Sequence, residues 1–334
     1  MVASNPLFDL ATMADDRQRV ETELRAAVQT AEPALTEMAS HLVLAGGKRV
    51  RPLLAVAAGA CAEGHEGPAQ PEVVRGGVAV ELVHLGSLHH DDVIDEAVTR
   101  RTVPSVNARW GNLRAILSGD YLLAKASELA ASLGTEVAQL LAATIGRLCE
   151  GEVRELQTAY QLDRTEASYL ASIEGKTASL FATSCRIGAL VGGLPSHHVD
   201  RLTDFGRAYG MAFQIVDDVL DLVATDRQLG KPAGHDLVEG VYTLPVLRAL
   251  AGPDGDELAT LLGRHVTGPE CDQARALITR GSGVASATST ARSYVDQADA
   301  ALTGLGELAD RPAAHALVGA AHALLDSLSE VLAA

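Results

Sequence analysis

Two copies of one five-residue pattern, Asp91-Asp92-Val93-Ile94-Asp95 and Asp217-Asp218-Val219-Leu220-Asp221, constrain this chain more than any other feature in it. In each copy the first and last Asp are four residues apart, so on a helix they share one face, about 6 Å apart along the axis. Like charges at that spacing destabilise a helix, and Asp is a poor helix former to begin with. A hard divalent cation reverses the cost, because Mg²⁺ takes carboxylate and water oxygens together with those of a bound phosphate. The apolar Val-Ile and Val-Leu pairs between the acids put the opposite faces in a core, so the carboxylates line a cavity. A solvated acidic helix face is the weaker reading even of one such cluster. Two identical ones point to separate helices facing each other across a shared metal-dependent site.

The remainder of the 334-residue chain can supply those helices. Ala, Leu, Val and Glu dominate and aromatics are only 3%, a balance that favours helix over sheet. Apolar residues recur at helical spacing, as in Val20, Leu24 and Val28, and again in Leu117, Tyr121, Leu122 and Leu129. Gly- and Pro-containing breaks at Gly46-Gly47, 64–71, Pro104, Gly111, 192–195, 230–234 and Gly252-Pro253 leave roughly ten or more helices and no convincing strand. The expected fold is all-α, a single large domain over 1–334. Its motif-bearing core covers about 40–250, and C-terminal helices over 251–334 pack around it.

A net charge of −16 argues against a nucleic-acid partner, which needs a basic stripe. Cys61, Cys149, Cys185 and Cys271 form no C-x-x-C pair and read as reduced thiols of a cytoplasmic protein. The start, Met1 to Asp16, lacks the basic and apolar regions of a signal peptide. The most apolar stretch, Thr177 to Leu194, is interrupted by Arg186 and glycines, so no membrane span is expected.

Against this acidic background the basic clusters carry information. Gly46-Gly47-Lys48-Arg49-Val50-Arg51-Pro52 places three cations in a turn whose glycines let an anion approach the backbone. Arg100-Arg101 follows the first acidic cluster, Gly175-Lys176-Thr177 lies in a helical pattern, and Gly230-Lys231-Pro232 follows the second cluster. Each alone reads as a solvated charge. Together with two metal clusters they suit a multivalent anion, since Arg forks match phosphate geometry.

These motifs closely resemble the trans-isoprenyl diphosphate synthases, or polyprenyl synthetases. The resemblance rests on GGKRVRP, ELVHLGSLHHDDVIDEAVTRR, GKT at 175–177, FQIVDDVLDL and GKPAGHDLVEGVYTLP, in the family's order from Gly46 to Pro245. It implies long helices around a deep central cavity, a homodimer, and head-to-tail condensation of an allylic diphosphate with isopentenyl diphosphate.

Position by position, it implies that Asp91, Asp95 and Asp217 are the principal ligands of Mg²⁺, three ions for which Mn²⁺ can substitute. Asp92, Asp218 and Asp221 support them, and Lys176 and Lys231 complete the catalytic set. Lys48, Arg51, His84 and Arg101 fall where the family binds isopentenyl diphosphate. Arg100, Lys176, Thr177, Gln214 and Lys231 fall where it binds the allylic diphosphate. Val241-Tyr242 departs from the pattern, since many relatives have a Lys there. Peripheral membrane contact is expected only for product release.

Product length hangs on Gly86 and Ser87, five and four residues before Asp91. Gly in a helix interior costs about 1 kcal/mol relative to Ala and calls for a reason. Close helix packing is one reason, and an unobstructed tunnel for the growing tail is the other. In the family a bulky aromatic at this level stops the chain early. Its absence resembles the enzymes making products from about C20 upward, with C30 to C50 expected here.

Other readings fit less well. Glu81-x-x-His84 matches half of a helical di-iron site, but no second Glu-x-x-His occurs. His89-His90-Asp91 suggests a metal phosphohydrolase, a scheme with no place for repeated Asp clusters. A short-chain geranylgeranyl or farnesyl diphosphate synthase remains an alternative. A class I terpene cyclase would lack the second complete Asp cluster and has no use for an isopentenyl site.

Overall fold

The computed structural model describes residues 5–62, 67–225, 228, 233–266 and 268–333. The all-α expectation holds. Ten helices lead up to and include the second acidic cluster: α1 (Met13–Ala27), α2 (Pro33–Leu44), α3 (Val50–Gly59), α4 (Pro71–Ile94), α5 (Val106–Trp110), α6 (Asn112–Ser132), α7 (Thr135–Gln157), α8 (Glu166–Ile173), α9 (Ser179–Val191) and α10 (Ser196–Val223). A π-helical turn, Glu174–Ala178, joins α8 to α9. Beyond α10 come short helices at His235–Val238, Leu244–Leu250 and Gly255–Leu261, then longer ones at Pro269–Arg280, Gly283–Thr303 and Pro312–Leu332.

One departure is a small antiparallel hairpin, β1 (Thr99–Arg100) paired with β2 (Val103–Pro104). Its two turn residues, Arg101 and Thr102, have φ of 52° and 65°, the doubly left-handed turn that matches strand twist. Asn-Gly chemistry normally marks that turn, so an Arg-Thr turn gave no sequence signal.

α4 is the central helix. It starts on Pro71, whose missing N–H costs nothing in a first turn. It buries Val74, Val78, Ala79, Leu82, Val83 and Leu85 around its circumference, the pattern of a helix with neighbours on all sides. One apolar cluster runs from Leu7 to Leu328, so the C-terminal helices close the same core. They also serve the site: Arg275, from Pro269–Arg280, donates to the Leu222 carbonyl at 2.9 and 3.0 Å and to that of Ala224 at 3.1 Å. A guanidinium there caps the open carbonyls at the C-terminal end of α10.

α4 and α10 both carry their Asp cluster in their C-terminal turns. The helix dipole already places partial negative charge there, so carboxylates at both ends lower stability. Among the described residues, no helix is long and apolar enough to cross a membrane.

Candidate active site

Within each cluster the helical rotation of about 100° per residue separates the acids into two jobs. Asp91 is half-buried and Asp95 is exposed at the end of α4, whereas Asp92 is fully buried. Asp92 Oδ1 accepts from Arg100 Nε at 2.7 Å and pairs with Arg100 Nη2 at 2.6 Å. In α10, Asp217 is exposed while Asp218 and Asp221 are buried. Asp218 accepts from the Tyr169 hydroxyl at 2.5 Å and from Gln214 Nε2 at 2.7 Å, and Gln214 Oε1 accepts from the Thr177 hydroxyl at 2.8 Å. The middle Asp of each cluster therefore anchors neighbouring groups, while Asp91, Asp95 and Asp217 are the more accessible acids and Asp221 is buried beside Asp218.

Lys176 acts on Asp91 directly and is linked to the second cluster only through its partner Glu155. The π turn displaces it from a regular helical position, and it pairs with Glu152 at 2.8 Å and Glu155 at 2.5 Å, one turn apart on α7. Burial disfavours its charge, but Glu155 and Glu152 more than offset this and hold it protonated. The same glutamates act on the Asp clusters. Burial, with Glu152 and Asp95 nearby, pushes Asp91 up to about 7, against the opposing pull of Lys176 and Arg100. Burial likewise raises Asp218 to about 7, with Asp217 and Glu155 adding to it and its hydrogen bonds to Tyr169 and Gln214 opposing it. Carboxyl groups held this far up are first of all desolvated, with neighbouring negative charge adding to the cost of ionising them. Glu152 and Glu155 were missed by motif reading. Their i,i+3 spacing on the inner face of α7 was the available signal, masked by other acids on that helix.

The basic turn resolves into different roles. Arg49 begins α3 in a left-handed conformation and points inward, where it is 2% exposed. Its Nη1 meets Glu81 at 3.0 Å, its Nε meets Glu21 at 2.8 Å, and its Nη2 donates to the Val43 carbonyl at 2.8 Å. Arg49 is thus committed to the scaffold, and Glu81 is unavailable as a di-iron ligand. Arg49→Ala would leave two glutamates facing a buried gap, and we expect about 3–5 kcal/mol of lost stability, read by urea denaturation. A change under about 1 kcal/mol would show the network to be dispensable.

Arg51, two residues on, lies 4.4 Å above the Phe181 ring, and its buried Nε has no hydrogen-bond partner among the described residues. Burial lowers it to about 10. Arg101 Nη1 reaches the carbonyls of Gly46 and Leu42, tying the hairpin to the Gly-Gly turn. His84 is held well below its ordinary value by burial, then by Arg51, Arg101, Arg49 and Arg100. A neutral imidazole ringed by guanidinium groups, with Lys48 exposed at the turn, is chemically suited to an anion. His89 and His90 belong to the scaffold instead: His89 Nδ1 pairs with Ser118 Oγ at 2.8 Å, and His90 Nε2 lies 3.2 Å from the Ile116 carbonyl of α6.

Gly86 corrects one expectation. It is buried in the α4–α6 seam, where an added Cβ would meet the Gly119 carbonyl at 3.1 Å and Leu123 at 3.2 Å. Close helix packing explains this glycine. Ser87, one residue on, is half-buried, and its hydroxyl donates to the His84 carbonyl at 2.9 Å. Lys231 falls outside the described residues.

The sequence pattern of the polyprenyl synthetases matches residues 32–277, spanning both acidic clusters and every basic site above. The chain belongs to the polyprenyl synthetase family. It is 41% identical over 294 residues to heptaprenyl diphosphate synthase component 2 of Geobacillus stearothermophilus, covering 88% of this chain and 91% of that one. It is 40% identical over 312 residues to nonaprenyl diphosphate synthase of Mycobacterium tuberculosis, covering 92% and 91%. The crystal structure of a polyprenyl synthase from Caulobacter crescentus CB15, complexed with calcium and isoprenyl diphosphate, superposes with a TM-score of 0.87 at 33% identity, covering 96% of each chain. As a polyprenyl synthetase the chain is a prenyltransferase. It condenses an allylic diphosphate with isopentenyl diphosphate, head to tail, into a trans-polyprenyl diphosphate of medium or long chain.

Proposed function

We propose that this polyprenyl synthetase works by Mg²⁺-assisted ionisation, with Asp91, Asp95 and Asp217 as the principal metal-holding residues and Asp221 supporting them. The observation that carries the reading is the link between the clusters: Lys176 bridges Glu152 and Glu155, which act on Asp91 and Asp218 in turn. Among the described residues, no three His, Cys, Asp or Glu side chains form a ready-made metal cage. That fits Mg²⁺, which binds through one or two carboxylates and completes its shell with water and substrate phosphate. The calcium and isoprenyl diphosphate of the Caulobacter relative support a divalent cation beside a prenyl diphosphate here too. When bound, the metal neutralises the charge of the departing diphosphate.

The chain's own residues do the rest. Arg100, Lys176, Thr177, Gln214 and Lys231 hold the allylic diphosphate, and their cations favour rupture of its C–O bond, whose electron pair leaves with the diphosphate. Lys48, Arg51, His84 and Arg101 hold isopentenyl diphosphate with its double bond against the allylic cation. That double bond forms the new C–C bond, and a proton then passes to the released diphosphate, so no protein nucleophile is needed. Exposed Leu113, Ile116 and Leu117 on one face of α6 support a homodimer through that face.

The long-chain names of both relatives support a product of about C30 to C50. Mass spectrometry of products made from labelled isopentenyl diphosphate tests the reading. We expect no condensation with a chelator present, a long product with Mg²⁺, and a product shortened toward about C15 to C20 in Ser87→Phe. Gly86→Phe should instead destabilise the fold, by about 1–3 kcal/mol or more, through overpacking. Undiminished activity in the chelator would sink the mechanism, and an unchanged product in Ser87→Phe would sink the length assignment.

A further inference from the structure

The segment 234–240, beyond the second acidic cluster, is held from two sides. On one side it docks on the cluster: the Gly234 N–H donates to the Asp221 carbonyl at 2.8 Å, and the Asp236 N–H donates to Asp221 Oδ2 at 3.2 Å. On the other it is gripped by the turn between α7 and α8. The Tyr160 N–H donates to the Gly240 carbonyl at 2.8 Å, and the Tyr160 hydroxyl donates to the Val238 carbonyl at 2.9 Å.

Tyr160 does this with φ of 60°, a left-handed conformation that costs a bulky residue roughly 1 kcal/mol or more and persists only where its surroundings over-determine it. Opposite it, Gly240 has φ of 73°, and a Cβ there would lie 2.5 Å from Tyr160 Cδ1. Ring and glycine form a fitted pair. The same turn supplies Arg164, 6% exposed, whose Nη1 donates to the Tyr242 carbonyl at 3.1 Å and whose Nη2 donates to Ser172 Oγ at 3.2 Å. Its guanidinium lies 5.6 Å from the centre of the Tyr169 ring, whose hydroxyl holds Asp218. One turn therefore reaches both buried acids of the second cluster, Asp221 through the loop and Asp218 through Tyr169. A segment serving only to join two helices needs neither a strained Tyr nor a buried Arg.

We propose that Tyr160 is a positioning residue for the allylic half of the site: by latching the loop at Val238 and Gly240 it sets where Asp221 presents its carboxylate. This rests on the second cluster holding the metal and the allylic diphosphate. Tyr160 itself touches no substrate.

The test is steady-state kinetics of the full-length enzyme, varying each substrate and Mg²⁺ separately, with thermal melting alongside. Tyr160→Ala should raise the allylic KM and the half-activating Mg²⁺ concentration about tenfold, with the isopentenyl KM changed less than about twofold. Tyr160→Phe, which keeps the ring and loses one hydrogen bond, should fall between. Gly240→Ala should reproduce the Tyr160→Ala defect, and the double variant should lose less than the two singles combined, because the ring no longer meets the new methyl. Equal losses toward both substrates, or additive losses in the double variant, would overturn the proposal. Should Tyr160→Ala fail to fold, Tyr160→Phe and Gly240→Ala decide the question by the same substrate split. Asp221→Asn separates the two levels. If it leaves allylic and Mg²⁺ kinetics intact, the assignment of the cluster fails; if it impairs them and Tyr160→Ala does not, only the latch fails.

Discussion

Asp91→Ala and Asp217→Ala are each expected to lower turnover by about a thousandfold or more, because each removes a metal-holding carboxylate from the point where diphosphate charge develops. The same changes should leave the fold intact or slightly firmer. Asp91 sits in the last turn of α4, where removing a negative charge relieves about 0.3–1 kcal/mol of unfavourable dipole interaction. Asp217 lies before the last turn of α10, which ends at Val223, and its removal should be close to neutral. A stable protein without activity is the signature of residues kept for function. The pH dependence has a defined sign. With Asp91 and Asp218 both pushed up to about 7, protons compete for the clusters below that pH. The half-activating Mg²⁺ concentration should therefore rise as pH falls through about 7 and level off above it. Circular dichroism, chemical denaturation and Mg²⁺ titrations at several pH values check all three points. Turnover near wild type in either variant would refute the assignment.

The acidic clusters were legible because spacing alone places their outer members on one helix face. The separate job of the middle acids follows from the same geometry, but their partners do not. Nothing near Asp218 in sequence announces Tyr169, 49 positions away. Arg49 and Arg51 show the limit more sharply. Both lie in one basic turn, yet Arg49 is neutralised by Glu21 and Glu81 while Arg51 stacks on Phe181. Which cation remains for substrate depends on side chains brought in from α1, α4 and α9. Gly86 was ambiguous for a related reason, since a small residue serves a tunnel or a helix contact equally well until α6 is seen against it. The hairpin escaped because its turn carries Arg101 and Thr102 in conformations usually left to Asn and Gly.

Arg51→Met should raise the KM for isopentenyl diphosphate roughly thirtyfold, equivalent to about 2 kcal/mol for a lost charge-assisted contact, with little change in the allylic KM. Methionine keeps much of the aliphatic bulk over Phe181, so packing survives while the charge goes. Lys176→Met should show the reverse pattern, a loss in the allylic KM or in kcat, because Lys176 acts on Asp91 and pairs with Glu152 and Glu155. His84 supplies an independent readout. In the wild type, burial and the surrounding guanidinium groups keep its ring neutral at physiological pH. Removing Arg51, the first of those cations, should move its titration back up toward the ordinary histidine range, since one fewer positive charge opposes protonation. NMR of the ring protons across a pH series detects that shift without any substrate present. A His84 titration unmoved by Arg51→Met, together with equal KM changes for the two substrates, would mean that Arg51 and His84 do not share one anion site.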